Sequence, residues 1–115
     1  MAGGYDIIIQ QGATFTMGVQ VNGVDLTTGY AVRMKGRASH AASSVTFSLT
    51  NGSGITLSVA SGNSTITPLL SATATAAYTA PMAGVYDIEY ENNSTGVVTR
   101  ILEGTFYVTP EVTRA

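Results

Sequence analysis

The chain has 115 residues, of which only 10% are charged, and its formal net charge is −2. This length suits a single domain over residues 1–115 that buries roughly two-thirds of its unfolded surface, and no apolar run approaches the roughly 18 residues of a membrane span. The sparse, slightly acidic charge excludes the clustered Lys and Arg that counterion release at nucleic acid requires, and the lack of cysteine excludes disulfides, thiolate metal sites and thiol nucleophiles.

The opening stretch MAGGYDIIIQQ has no basic region, apolar stretch and small-residue cleavage site in series, so it gives no sign of Sec-type export. With the absence of cysteine, this fits synthesis in a reducing cytoplasm. YDIIIQQG predicts a short apolar strand ending at Gly12. TFTMGVQV alternates strictly and predicts one half-buried strand with Phe15, Met17, Val19 and Val21 on its inner face. Asn22-Gly23, Asp25 and Gly29 supply turn chemistry, and YAVRMKGR then sets Tyr30, Val32 and Met34 inward and Ala31, Arg33 and Lys35 outward. ASHAASS reads as a loop. VTFSLT (Val45, Phe47, Leu49) and ITLSVA (Ile55, Leu57, Val59) flank NGSG, which predicts a hairpin.

The segment NSTITPLLSATATAAYTAPMAG opens as a strand around Ile66. Pro68 removes a ladder donor, and Ser71 can cap a short helical turn around residues 69–78. VYDIEYE directs Tyr86, Ile88 and Tyr90 inward and Asp87, Glu89 and Glu91 outward. After the NNSTG turn, residues 94–114 read as one strong final strand. Gly104 marks the expected bulge, and Phe106 and Val108 are the inward residues. About seven or eight short strands with turns between them predict an all-β antiparallel sandwich.

Chemistry finds few footholds. His40, the one histidine, lies in a small-residue loop with no carboxylate near it in sequence and reads as solvated. NGSG and AGG are turns, since neither lies between a strand and a helix as a phosphate cradle must. The triplets beginning at Asn51, Asn63 and Asn93 match the glycosylation pattern but read as chance turns in a Ser/Thr-rich chain. Asp87, Glu89 and Glu91 alternate as the wet face of a strand does, and no second cluster adds the ligands a metal needs. Without Trp, a sugar platform would have to come from Tyr, and Tyr86 and Tyr90 read as core. No catalytic, cofactor or metal site is expected, and hence no enzyme.

One constellation stands apart. Arg33, Lys35 and Arg37 share the outer face of one strand, and Asp87, Glu89 and Glu91 share that of another. Such stripes either pair across strands within one sheet or offer complementary patches to neighbouring molecules, and the intramolecular pairing is the expected arrangement.

The order DIIIQQGATFTMGVQVNGVDLTTGYAVRMKGR, with DLTTGY entering the basic strand, and the ending AGVYDIEYENNSTGVVTRILEGTFYVTPEVTR resemble small tail-associated proteins of tailed bacteriophages. They are similar to the immunoglobulin-like N-terminal domain of phage baseplate upper proteins, and the resemblance runs from Tyr5 to Arg114. It implies an immunoglobulin-like sandwich and a structural virion protein of the tail, baseplate or fibre attachment. Such a protein is made in the host cytoplasm, is present in multiple copies and has other phage structural proteins as partners, and it brings no catalytic residues with it. A capsid decoration protein is the alternative within virions. A carbohydrate-binding or surface-adhesion module is the alternative of another class.

Overall fold

The computed structural model describes residues 3–113. Alternating residues lay down pleated strands with one buried side. β1 is Gly3–Gly4 and β2 is Ile7–Gln10, in which Ile7 and Ile9 point into the core. β3 (Phe15–Thr16) and β4 (Val19–Val21) follow, then β5 (Tyr30–Arg37), which buries Val32 and Met34. β6 is Phe47–Asn51, β7 is Gly54–Ala60 and β8 is Asn63–Leu70. A short helix, α1 (Ala72–Ala76), leads to the two long strands β9 (Met82–Asn92) and β10 (Val98–Thr109).

The hydrogen-bonded order is β1–β10–β9–β5–β6–β7–β8–β3, with β2 also on β10 and β4 also on β8. This path curls so that β1/β2, β10, β9, β5 and β6 form one layer and β7, β8 and β3/β4 form the other. β10 and β5 are antiparallel to β9, whereas β1 and β2 run parallel to β10. Ile9, Val32, Met34, Ile66, Ile88, Phe106 and Val108 fill the space between the layers, each almost wholly buried.

Several expectations change in detail. The TFTMGVQV strand is interrupted between β3 and β4, although all four of its inner residues do pack on the core. The register of β3 and β4 on β8 places Met17 opposite Pro68, which has no N–H to donate, and the ladder lapses there. The Thr16 hydroxyl donates instead to the Pro68 carbonyl at 2.9 Å.

NGSG does not make a hairpin. β6 and β7 run parallel through a short bridge, Thr50 with Gly54 and Asn51 with Ile55, which hands the chain from one layer to the other. Gly52 and Gly54 make this tight loop with φ of 86° and 95°. Val45 lies outside β6, and both it and Val59 are exposed.

The bulge falls between Arg100 and Leu102, not at Gly104. Gly104 stays in the ladder opposite Tyr86, and its missing Cβ makes room for the Tyr5 carbonyl. The final strand ends at Thr109 because Pro110 cannot continue the ladder, while the Glu111 N–H turns to Gln11 Oε1 at 3.1 Å. Arg114, placed in that strand by the sequence reading, lies outside the described residues. The helical turn is shorter than 69–78, since Leu69 and Leu70 belong to β8. Ser71 caps it as expected, accepting from the Ala74 N–H at 3.1 Å.

Two buried hydroxyls hold loops to the sandwich. Thr75 donates to the Ala13 carbonyl at 2.8 Å and accepts from the Gly12 N–H at 3.1 Å. Ser64 accepts from the Leu26 N–H at 2.8 Å and donates to the Val24 carbonyl at 2.7 Å, which seats the fully buried Leu26. Ser64→Ala leaves both of those backbone groups unpaired, so a loss of about 2 kcal/mol in denaturant unfolding is expected.

Candidate protein-interaction faces

A side chain on a sheet meets first its cross-strand neighbours on the same face. On the outer face of the first layer these neighbours form rows from β5 through β9 to β10. One row is Lys35, Asp87 and Glu103, and the next is Arg33, Glu89 and Arg100. Arg37, Val85 and Thr105 lie on one side of these rows, and Ala31, Glu91 and Val98 on the other.

Arg33 is the hub of the face. Its Nε donates to Glu89 Oε1 at 2.6 Å and its second guanidinium nitrogen to Glu91 Oε1 at 3.1 Å. The hydrogen bond it donates to Glu89, then that to Glu91, raises its pKa, so the cation is held firmly charged. Lys35 is opposite Asp87 in register but forms no ion pair among the described residues. Asp87 faces Arg100 at 3.3 Å, and Arg100 also meets Glu103 at 3.3 Å. Arg37 pairs with no acid among the described residues, and its guanidinium donates to the Ala42 and Ser43 carbonyls at 3.2 and 3.1 Å, tying down the loop that carries the exposed His40. Of the six candidate residues, four are therefore engaged by ion pairs, Arg33, Asp87, Glu89 and Glu91, while Lys35 and Arg37 are not.

Arg100 is the participant that the sequence does not place. Counted in steps of two from the buried Phe106, it should point inward, but the bulge before Leu102 inverts its facing and brings it beside Asp87. An open depression of about 630 Å³ lies over this face, edged by Lys35, Arg37, His40, Asp87, Arg100 and Glu103. Its walls carry both signs of charge, so it is suited to a mixed polar surface and not to a polyanion. Among the described residues no group of three His, Asp or Glu is placed to hold a metal ion.

Two expected results follow from this geometry. Arg33→Glu puts a third carboxylate against Glu89 and Glu91, and the isolated domain should lose about 1 kcal/mol. Adding Glu89→Arg should restore much of it, and a four-protein denaturation cycle gives the coupling. Burial raises the Asp87 pKa, Arg100 pulls it back, and Glu89 and Glu103 raise it again. A carboxyl that binds its proton more tightly when folded favours the native state increasingly as pH falls from its folded pKa towards the unfolded value. Relative to Asp87→Asn, the wild-type domain should therefore gain stability on acidification through that window, and unfolding curves taken at a series of pH values measure it.

The outer face of the second layer is different. Register aligns Thr56 with Thr67, Ser58 with Thr65, Thr65 with Gln20, and Leu69 with Thr16. None of these residues is charged. The protein thus has one face where most of its charges neutralise one another and another built from hydroxyls, an amide and Leu69.

No protein-family model and no curated protein matches the chain. Among solved structures it is similar to one from work on the multimeric cell-adhesive interactions of VGSC beta subunits, with TM-score 0.53 and 12% identity over 96% of this chain and 93% of that one. An extracellular domain of the voltage-gated sodium channel beta4 subunit aligns with TM-score 0.46 and 13% identity over 97% of this chain and 96% of that one. The fold is an immunoglobulin-like β-sandwich. In it β6 lies beside β5 at the end of the β10–β9–β5 sheet.

Proposed function

We propose that the chain is a structural virion protein of a tailed phage, a tail, baseplate or fibre-attachment component that works through protein–protein contacts and catalyses nothing. The observation that carries this reading is the division of the surface. Its few charges are largely gathered and neutralised on the outer face of β5, β9 and β10, and the opposite outer face is charge-free. Interface cores are depleted of charge, and a rigid sandwich with one uncharged face suits a place among fixed neighbours. The resemblance of DLTTGY and of VYDIEY with VTRILEGTFYVTPEVTR to tail-associated proteins supplies the class of assembly. On this reading the protein is made in the host cytoplasm and ends in the particle in multiple copies.

The test is mass spectrometry of purified virions from a lysate that expresses the chain, with heads and tails separated first. Multiple copies in the tail fraction are expected. Copies in heads alone make it a capsid decoration protein, and absence from mature particles overturns the reading. The adhesion alternative has the sandwich itself in its favour, because the structural neighbour of the same fold is described by its cell-adhesive interactions. A glycan-binding version is disfavoured, since the aromatic ring pairs among the described residues, Tyr30 with Tyr90 and Phe47 with Tyr78 and Phe106, all pack on the core and make no outward platform.

A further inference from the structure

The layer that contains β10 ends on β2, and the far side of β2 is paired with nothing among the described residues. The Tyr5 and Gln11 N–H groups both donate to β10, to the Glu103 and Thr109 carbonyls at 2.9 and 3.0 Å. A parallel strand sends alternate residues to alternate sides, so Ile7 and Ile9 also face β10, and the backbone groups of Ile8 point away from the sheet. The Gln10 N–H points the same way, while its carbonyl accepts from the Ala13 N–H at 3.0 Å. Free edges of this kind are ordinarily blunted by Lys, Pro, a bulge or a covering loop. β2, with sequence IIIQ, carries no Lys or Pro, and among the described residues no strand pairs with its far side.

The side chains beside this edge are also unusual. Ile8 is 61% exposed and its β10 partner Tyr107 is 42% exposed, which leaves an apolar step on the outer face next to open backbone donors and acceptors. Ile8 and Gln10 share that outer face, and the exposed Asp6 stands two residues before Ile8, just ahead of the strand. Their order is self-complementary, because a two-fold axis through Ile8 sets Ile8 against its own copy and Asp6 against the Gln10 of a second molecule, with no like charges opposed. Asp6 Oδ1 accepts from the Thr105 N–H at 3.0 Å, which leaves Oδ2 for that amide.

We propose that β2 is a dimerisation edge, on which a second copy of this chain adds its own β2 antiparallel, joining two sandwiches through one continuous sheet. The Ile8 N–H and C=O exchange bonds with their counterparts across the axis, Gln10 N–H bonds the second copy's Asp6 carbonyl, and Ile8 with Tyr107 is buried on the outer face. The proposal does not depend on the virion reading, which would stand for a monomer.

Sedimentation equilibrium of the full chain across the micromolar to millimolar range should show a monomer–dimer equilibrium. Gln10 makes no intramolecular side-chain hydrogen bond among those described, so substitutions there leave the fold alone. Gln10→Lys should tighten the dimer several-fold at low salt through two new pairs with Asp6, and Gln10→Glu should loosen it several-fold by opposing like charges. Ile8→Pro removes an N–H that β10 does not use and should abolish the dimer. If Ile8→Pro disturbs folding, hydrogen exchange on the wild type serves instead, with the Ile8 amide slowing as concentration rises. A monomer at every concentration, Gln10→Lys and Gln10→Glu acting in the same direction, Ile8 exchange independent of concentration, or an edge filled only by another protein would each overturn the proposal.

Discussion

Replacing Phe106 with alanine is expected to destabilise the domain by about 3–5 kcal/mol, a large share of the roughly 5–15 kcal/mol that holds a small domain folded. Phe106 is fully buried on β10, next to β9 on one side and β2 on the other, so the loss of its ring is felt by both neighbours. The ring stands edge-on to Phe47, with centroids 5.2 Å apart, and Phe47 in turn lies 6.4 Å from Tyr78. Removal therefore costs the transfer of the aromatic surface, an edge-to-face contact and a cavity that strands fixed by ladder bonds cannot close. The expected signature is a lower denaturant midpoint with the slope preserved, because the surface exposed on unfolding hardly changes. Val112→Ala, at a residue 93% exposed, should move the same curve by no more than about 0.5 kcal/mol.

The inward face of this fold was legible wherever alternation was uninterrupted. Val32 and Met34 on β5, Ile88 on β9, and Phe106 and Val108 on β10 are all buried, because a period of two has one solution once one side of a sheet is covered. What local pattern hid depends on distant partners. Leu26 sits in a turn with no periodicity to mark it, and it is buried because Ser64, 38 residues along, takes its N–H. Asn51–Gly54 has hairpin composition, yet two positive-φ glycines can also coil the chain onward, and the core positions of Leu49 and Ile55 on either side select that outcome. The charged face was readable as two stripes that pair within one sheet, as Arg33 does with Glu89, but the partner of Asp87 was not. Which acid Arg100 meets depends on a bulge whose position no residue between Arg100 and Gly104 declares, and Arg100 then occupies Asp87 in place of Lys35.

Gly84→Ala should be the most damaging addition of a single methyl group, at about 3 kcal/mol or more. Gly84 lies on β9 opposite Phe106, in an ordinary extended conformation, so alanine brings no backbone strain there. Space is what it lacks. A Cβ at Gly84 would overlap the Arg37 carbonyl on β5 and the Phe106 ring, and neither can retreat: the carbonyl is backbone and the ring is fully buried. Relief requires β5 to move from β9 or Phe106 to leave its rotamer, which places the cost at or above the upper end of the usual 1–3 kcal/mol for overpacking. Gly104→Ala makes a useful contrast, because its Cβ would strike the Tyr5 carbonyl, the acceptor of the Tyr86 hydroxyl. Tyr5 is 58% exposed and lies in the strand-free link between β1 and β2, so the chain there can peel from β10 without opening the core. Gly104→Ala should then unfold at a midpoint closer to wild type while amides of residues 3–6 lose exchange protection, and Gly84→Ala should lower the global midpoint with protection falling evenly across β5, β9 and β10. If Gly84→Ala instead unfolded like the wild type, the β5–β9 contact would have to be looser than its continuous register from Tyr30–Asn92 to Arg37–Val85 describes.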